Sequence, residues 1–373
     1  MSALLKRAAD VEPAGARGGI AGLHAVAMSV DAARRAACGA GISTPAQSVP
    51  PGSMSSTALH GGSATGQSRQ LPAITTDARA HGSVQQNAAL HSASHPERAT
   101  ASPLAYRLGR LAVGALHAEL ACAPKPGLVT PFDNGSHTDM EASTFLRSLF
   151  ALRGYFVAIA QAAIDNAPFA RLRQLGIDAE AAMLRATGGV NTHRGAIFSL
   201  GLLTAQAARL HVRCRQRPSA EAVCHGVQEW RAALEAAPLD PRSNGQRVRA
   251  QYRIGGVREQ AAAGYPLLRE TALPCLRTAL NSGATREAAL AQTLMQLVAE
   301  VDDLNLLHRG GHQGLIYAQA QARAFLADGG IAQPQWRGRL AEIGTHFVAR
   351  RLSPGGSADL LACAWFLHCQ ETA

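Results

Sequence analysis

The 373 residues carry 36 Lys and Arg against 26 Asp and Glu, a formal net charge of +10, which suits an anionic ligand. The aromatic-flanked basic runs of single-strand binders are missing, so a small polyanion is favoured over nucleic acid. No charge-free apolar run reaches the ~20 residues of a membrane span. Seven cysteines, odd in number and without a C-x-x-C pair, argue against a disulfide scaffold and for a reducing, cytoplasmic setting.

Composition divides the chain near residue 100. No Phe, Trp or Tyr precedes Tyr106, and the first hundred residues are rich in Ala, Ser, Gly, Thr and His. Such a stretch buries too little surface to offset its ordering entropy, so 1–100 is expected to be a disordered extension. Its acid-poor, Arg- and Ala-rich start faintly resembles an organelle transit peptide; a later start at Met28 or Met54 explains it equally well. Eight Lys/Arg and five Asp/Glu lie there, which leaves +7 for residues 101–373.

From Leu104 to Cys122 apolar residues recur every three or four positions, which predicts a helix with Glu119 near its end. A loop follows, PKPGLVTPFDNGSHTDM. Thr138 or Asp139 is expected to cap the long helix after it, which buries Phe145, Leu149, Leu152 and Phe156. Further helices are expected over Pro168–Arg185, from the VNTHRGAIF segment to Val212, and over Ser219–Ala236. An arginine-rich segment with Arg247, Arg249, Arg253 and Arg258 precedes a helical pair, Leu267–Asn281 and Thr285–Val301. The acidic turn VDDLNLLHRGG then leads into helices from His312, from Gln335 and from the LSPGGSAD turn. Strand-like alternation is scarce, so the fold class is all-α, one domain of about nine or ten helices.

The loop after the first helix is the organising stretch. Pro124 and Pro126 stiffen the backbone beside Lys125, the sole lysine after Lys6, and Asp133, Asn134, His137 and Asp139 follow closely. Its ordinary alternative is a connection whose Asp and Asn satisfy their own backbone. Four glycine-rich turns, PKPG, THRG, HRGG and SPGG, stand before expected helices, where backbone N–H groups and the helix dipole favour anions. They bring Lys125, Arg194 and Arg309, with His193, His308, Gly310 and Gly311. Glu119, Asp133, Asp139, Asp302, Asp303 and Asp359 are hard oxygen donors suited to Mg²⁺, though capping explains Asp139 and Asp359 as well. Asp302 and Asp303 point to different helix faces, so one of the two is expected at any site.

Together, E-x-x-x-x-x-K-P-G-L-V with D-N-G-S-H-x-D-M, then G-V-N-T-H-R-G-A-I-F, D-D-L-N-L-L-H-R-G-G and S-P-G-G-S-A-D-L-L-A resemble the triphosphoribosyl-dephospho-CoA synthase family over Leu104–Cys369. The wording DNGSHTDMEASTFLRSLFALRGYF looks more like the malonate decarboxylase branch than the citrate lyase branch. The resemblance implies that the 2′-hydroxyl of 3′-dephospho-CoA attacks the ribose C1′ of ATP and adenine leaves. The product is the precursor of a prosthetic group for an acyl carrier protein. It further implies Mg²⁺ on Asp139 with Asp302 or Asp303, and Lys125, Arg194 and Arg309 on the triphosphate or on the diphosphate of dephospho-CoA. Glu119 or Asp133 would act as base or as oxocarbenium stabiliser, and Asn134, His137, Asn191 and His193 would orient sugar hydroxyls. Two other readings remain open here: a helical Mg-dependent nucleotide or ADP-ribose hydrolase, and a non-catalytic helical scaffold.

Overall fold

The first helix shows how the architecture feeds the site. In the computed structural model, which describes residues 101–238 and 244–372, α1 (Pro103–Ala121) is capped by Ser102, whose Oγ accepts from the Ala105 N–H at 3.2 Å. Its buried face runs through Ala105, Leu108, Ala112 and Leu116, and the same spacing continues to Glu119. A carboxylate therefore takes a core position. The expected extension over 1–100 and residues 239–243 lie outside the described residues.

The remaining helices are α2 (Ala142–Ile164), α3 (Phe169–Ala186), α4 (Arg194–Cys214), α5 (Ala220–Gly226), α6 (Arg231–Ala236), α7 (Asn244–Tyr252), α8 (Val257–Ala262), α9 (Leu273–Asn281), α10 (Arg286–Glu300), α11 (Leu304–Ala327), α12 (Trp336–Ala349) and α13 (Gly355–Thr372). The fold is all-α, and no strand occurs among the described residues. The excess over nine or ten helices comes from short pieces. The expected helix 219–236 is divided by a 3-10 turn at Val227–Trp230, and the arginine-rich segment folds into α7 and α8. A π-helical turn, Leu267–Ala272, runs directly into α9.

Two helices form the centre. On α4 every residue from Ala196 to Ala208 except Phe198 is buried, and α13 is buried along Ala358–Leu367 apart from Asp359 and Trp365. They pack on each other; α1 and α10 also lie on α13, and α2 and α3 on α4. The starts of α4 and α13 are consequently neighbours, and their loops face one space. No helix among the described residues is long and apolar enough to cross a membrane.

One expected boundary needs correction. The cap of α2 is Glu141, whose N–H donates to Thr144 Oγ1 at 3.4 Å, not Thr138 or Asp139. The acidic turn behaves partly as expected: Asp303 caps a first helical stretch through buried Leu306 and Leu307, the helix breaks at Gly311 with non-helical φ 61° and ψ −164°, and a second stretch runs from His312 to Ala327 as the HRGG turn predicts.

Candidate active site

The organising loop is tied to the turn before α13. Gly127 has φ 71°, and a Cβ there would lie 2.2 Å from the Leu352 carbonyl oxygen, so a glycine is required. Ser136 Oγ donates to the same carbonyl at 2.5 Å. Within this frame Lys125 is buried: its ammonium pairs with the Glu119 carboxylate and donates to the Glu119 backbone oxygen at 2.6 Å. Glu119 borders the neighbouring cavity, whereas Lys125 does not. Direct grip of a phosphate by Lys125, as expected above, would require it to leave a buried carboxylate unpaired, which costs several kcal/mol. The geometry gives the lysine a supporting place behind Glu119.

Asp133 is also redirected. Its Oδ1 accepts from the Gly135 N–H at 2.7 Å, and Thr130 Oγ1 donates to its Oδ2 at 3.3 Å. This is the self-satisfying Asx turn, and neither Asp133 nor Asn134 borders the cavity. The expected base at Asp133 and sugar contact at Asn134 are therefore replaced by a turn-holding role.

One cavity of about 1190 Å³ gathers the remaining candidates: Glu119, His137, Asp139, Asn191, His193 and Arg194 from the first half, and Asp302, Asp303, His308, Arg309 and Asp359 from the second. Pockets for one drug-sized ligand span roughly 300–1,000 Å³. The space exceeds that range.

The acidic pair divides, though both members border the cavity. Asp303 is buried and bridges two helix starts: Oδ1 accepts from the Asn305 N–H at 2.8 Å and Oδ2 from the Ser357 N–H and hydroxyl at 2.8 and 2.9 Å. Burial pushes its pKa up although these bonds oppose the shift. With both oxygens engaged, Asp303 is a structural brace and not the expected metal ligand. Asp302 is exposed and faces the same space. Asp359 rises from α13 against the start of α4, where a Cβ on Gly195 would lie 2.1 Å from its Oδ2. Burial, with Glu119 and Asp303 close by, holds the Asp359 carboxyl well above the usual carboxylate range.

Both loop histidines are neutral. Arg309 Nη2 donates to His137 Nδ1 at 2.9 Å and Nη1 to the Ser136 carbonyl at 3.0 Å. Nδ1 must accept, so the proton sits on Nε2, which donates to Ser353 Oγ at 2.8 Å. Burial and Arg309 lower the His137 pKa to about 4. His193 is buried against Phe145, with Nδ1 2.7 Å from Ser148 Oγ. Burial and Lys125 push it down to about 3. Its Nε2 has no partner within the protein. Beside it, Asn191 Oδ1 accepts from the Arg194 N–H at 3.1 Å, and Arg194 pairs with Glu180 at 2.5 Å.

Comparison with known proteins decides among the readings. The family described as ATP:dephospho-CoA triphosphoribosyl transferase matches residues 105–372. A Citrobacter koseri protein named "Probable 2-(5''-triphosphoribosyl)-3'-dephosphocoenzyme-A synthase" is 41% identical over 270 residues, 69% of this chain and 88% of that protein. A Vibrio cholerae serotype O1 protein of the same name is 37% identical over 273 residues, 70% of this chain and 87% of its own. No solved structure matches. The chain belongs to the triphosphoribosyl-dephospho-CoA synthase family. It is a transferase, and its substrates ATP and dephospho-CoA follow from the family.

For this synthase, motif reading missed three side chains on the cavity wall: Arg173 of α3, Arg249 of α7 and Arg258 of α8. The signal was partly available, because Arg249 and Arg258 stand in the arginine-rich segment. Arg173 looks like any solvated helix residue.

Proposed function

We propose that the cavity carries out the transfer with Glu119, Asp359 and the loop cations in distinct roles, and that the product serves the malonate decarboxylase acyl carrier protein. The observation that carries the reading is the meeting of Glu119, Asp302, Arg309 and Asp359, from three distant segments, on one cavity of about 1190 Å³. The branch assignment rests on the DNGSHTDMEASTFLRSLFALRGYF wording. We also place the enzyme in the cytoplasm, in keeping with the six free cysteines among the described residues.

In the reaction, the acceptor 2′-oxygen forms a bond to the ribose C1′ of ATP, the C1′–N9 bond breaks, and adenine departs with the electron pair. Glu119, kept in place by Lys125, receives the hydroxyl proton or faces the positive charge developing at C1′. Asp359, whose pKa burial pushes upward, donates a proton to the departing adenine. Arg194 and Arg309 bind phosphate oxygens, which guanidinium forks match. Asn191, His193 and His308 orient sugar hydroxyls, and His137 holds Arg309.

Asp302 and Asp139, both exposed and on the same cavity, fit Mg²⁺, which commonly takes one or two carboxylates plus phosphate oxygens. Bound there, the ion would neutralise triphosphate charge and fix its conformation. Incubation with ATP, Mg²⁺ and dephospho-CoA, followed by mass spectrometry, tests the reading. Adenine and the triphosphoribosyl product should appear only when the acceptor is present. Adenine or phosphate formed without it would establish hydrolysis instead.

A further inference from the structure

The charge on the cavity wall is uneven, and the difference separates two kinds of phosphate. At one end Asp139, Asp302 and Asp359 lie with Arg309, a mixture suited to a metal-bound polyphosphate. At the other, Arg173, Arg249 and Arg258 face the cavity, and the last two also line an adjoining pocket of about 370 Å³ with Arg231. Two carboxylates, Glu235 and Glu259, also line that pocket, and Glu259 is already engaged: it pairs with Arg249 and accepts from the Gly256 N–H at 2.8 Å. It offers a metal little.

Arg173, Arg231, Arg249 and Arg258 thus stand against two carboxylates, Glu235 and Glu259. Burial, then Arg249 and Arg173, push the Arg258 pKa down, with Glu259 the single opposing group. Arg258 is anchored by donation to the carbonyls of Ala237 and Pro238 at 2.5 and 3.1 Å. Arg249 Nε is buried with no partner. Like charges held this close favour an anion between them. The two ends also adjoin. A Cβ on Gly256 would lie 3.0 Å from Arg249 Cδ and 3.3 Å from Leu304 Cδ1, and Leu304 directly follows Asp302–Asp303. The arginine wall therefore abuts the acidic turn, so an acceptor held on one lies beside a donor held on the other.

We propose that Arg173, Arg249 and Arg258 form a metal-free anion subsite that takes the diphosphate of dephospho-CoA, leaving the acidic end to the magnesium-bound triphosphate. This rests on the transferase reading above. It assigns the acceptor to the α3, α7 and α8 wall and the donor to the α4, α11 and α13 starts.

The test is acceptor binding by calorimetry in EDTA, on the wild type, Arg249→Gln and Arg173→Gln. Each variant should weaken dephospho-CoA binding by roughly tenfold or more, as for a lost charge-assisted hydrogen bond, and leave the KM for Mg-ATP within about twofold. Inorganic pyrophosphate should displace dephospho-CoA from the wild type. A raised KM for Mg-ATP with unchanged dephospho-CoA binding would overturn the assignment, as would metal-dependent binding of the acceptor. Arg173 is exposed on α3, so its variant keeps the test open should Arg249→Gln misfold. Binding in EDTA needs no turnover. A wild type that binds dephospho-CoA through these arginines yet makes no product would refute the transfer reading alone.

Discussion

The loop 124–140 and the turn 191–195 look alike in sequence, each with a cation beside a glycine ahead of a helix, but the structure uses them in opposite ways. In the loop the cation is buried and neutralised by Glu119, and glycine serves to bring the backbone onto Leu352. In the turn Arg194 reaches the cavity, and Gly195 lets Asp359 approach the start of α4. A motif identifies residues that matter. It does not say whether their charge faces a ligand or a partner inside the protein.

That contrast breaks first at Lys125. Lys125→Met leaves Glu119 buried and unpaired, so unfolding by urea should show a loss of about 3–5 kcal/mol. A loss below about 1 kcal/mol would mean the ammonium is solvated and available to substrate after all.

Next comes His193, where the two regions meet because Lys125 helps depress its pKa. The folded pKa of about 3 lies below the unfolded value near ~6.5, so the unfolded chain binds more protons between them and stability falls as pH drops through that window. Relative to His193→Gln, the wild type should lose about 2 kcal/mol between pH 7 and pH 5. Parallel urea midpoints at both pH values would show the histidine to be charged when folded.

Arg194→Gln should separate binding from folding. Its pairing with Glu180 is partly exposed and contributes about 1 kcal/mol or less to stability. Steady-state kinetics should nonetheless show kcat/KM for ATP reduced roughly tenfold or more. The smallest effect belongs to Asp133→Asn, which retains the Asx turn: turnover should stay within about twofold, and a larger drop would return Asp133 to the chemistry.

The fold was legible because apolar spacing alone marks long helices, and α1, α3, α4 and α10 follow it closely. The break that divides α5 from α6, and the short α7 and α8, were not, since fewer than three turns give little periodicity. At the site, sequence pointed to the loop, the THRG turn and the acidic turn. It could not distinguish Asp302 from Asp303, because the second is defined by Ser357, 54 residues away. Nor could it foresee that Glu119 continues a buried face and so needs Lys125. Arg173 escaped because its role comes from what packs beside α3, not from its neighbours in the chain.

The brace at Asp303 has a consequence for synthesis on the ribosome. Both the Ser357 groups that satisfy it and the Asp359 that closes over Gly195 come from α13. Until translation has passed that segment, the nascent polypeptide lacks both the groups that satisfy Asp303 and the helix that covers it. The brace and the wall over Gly195 can therefore assemble only once the last helix has been made.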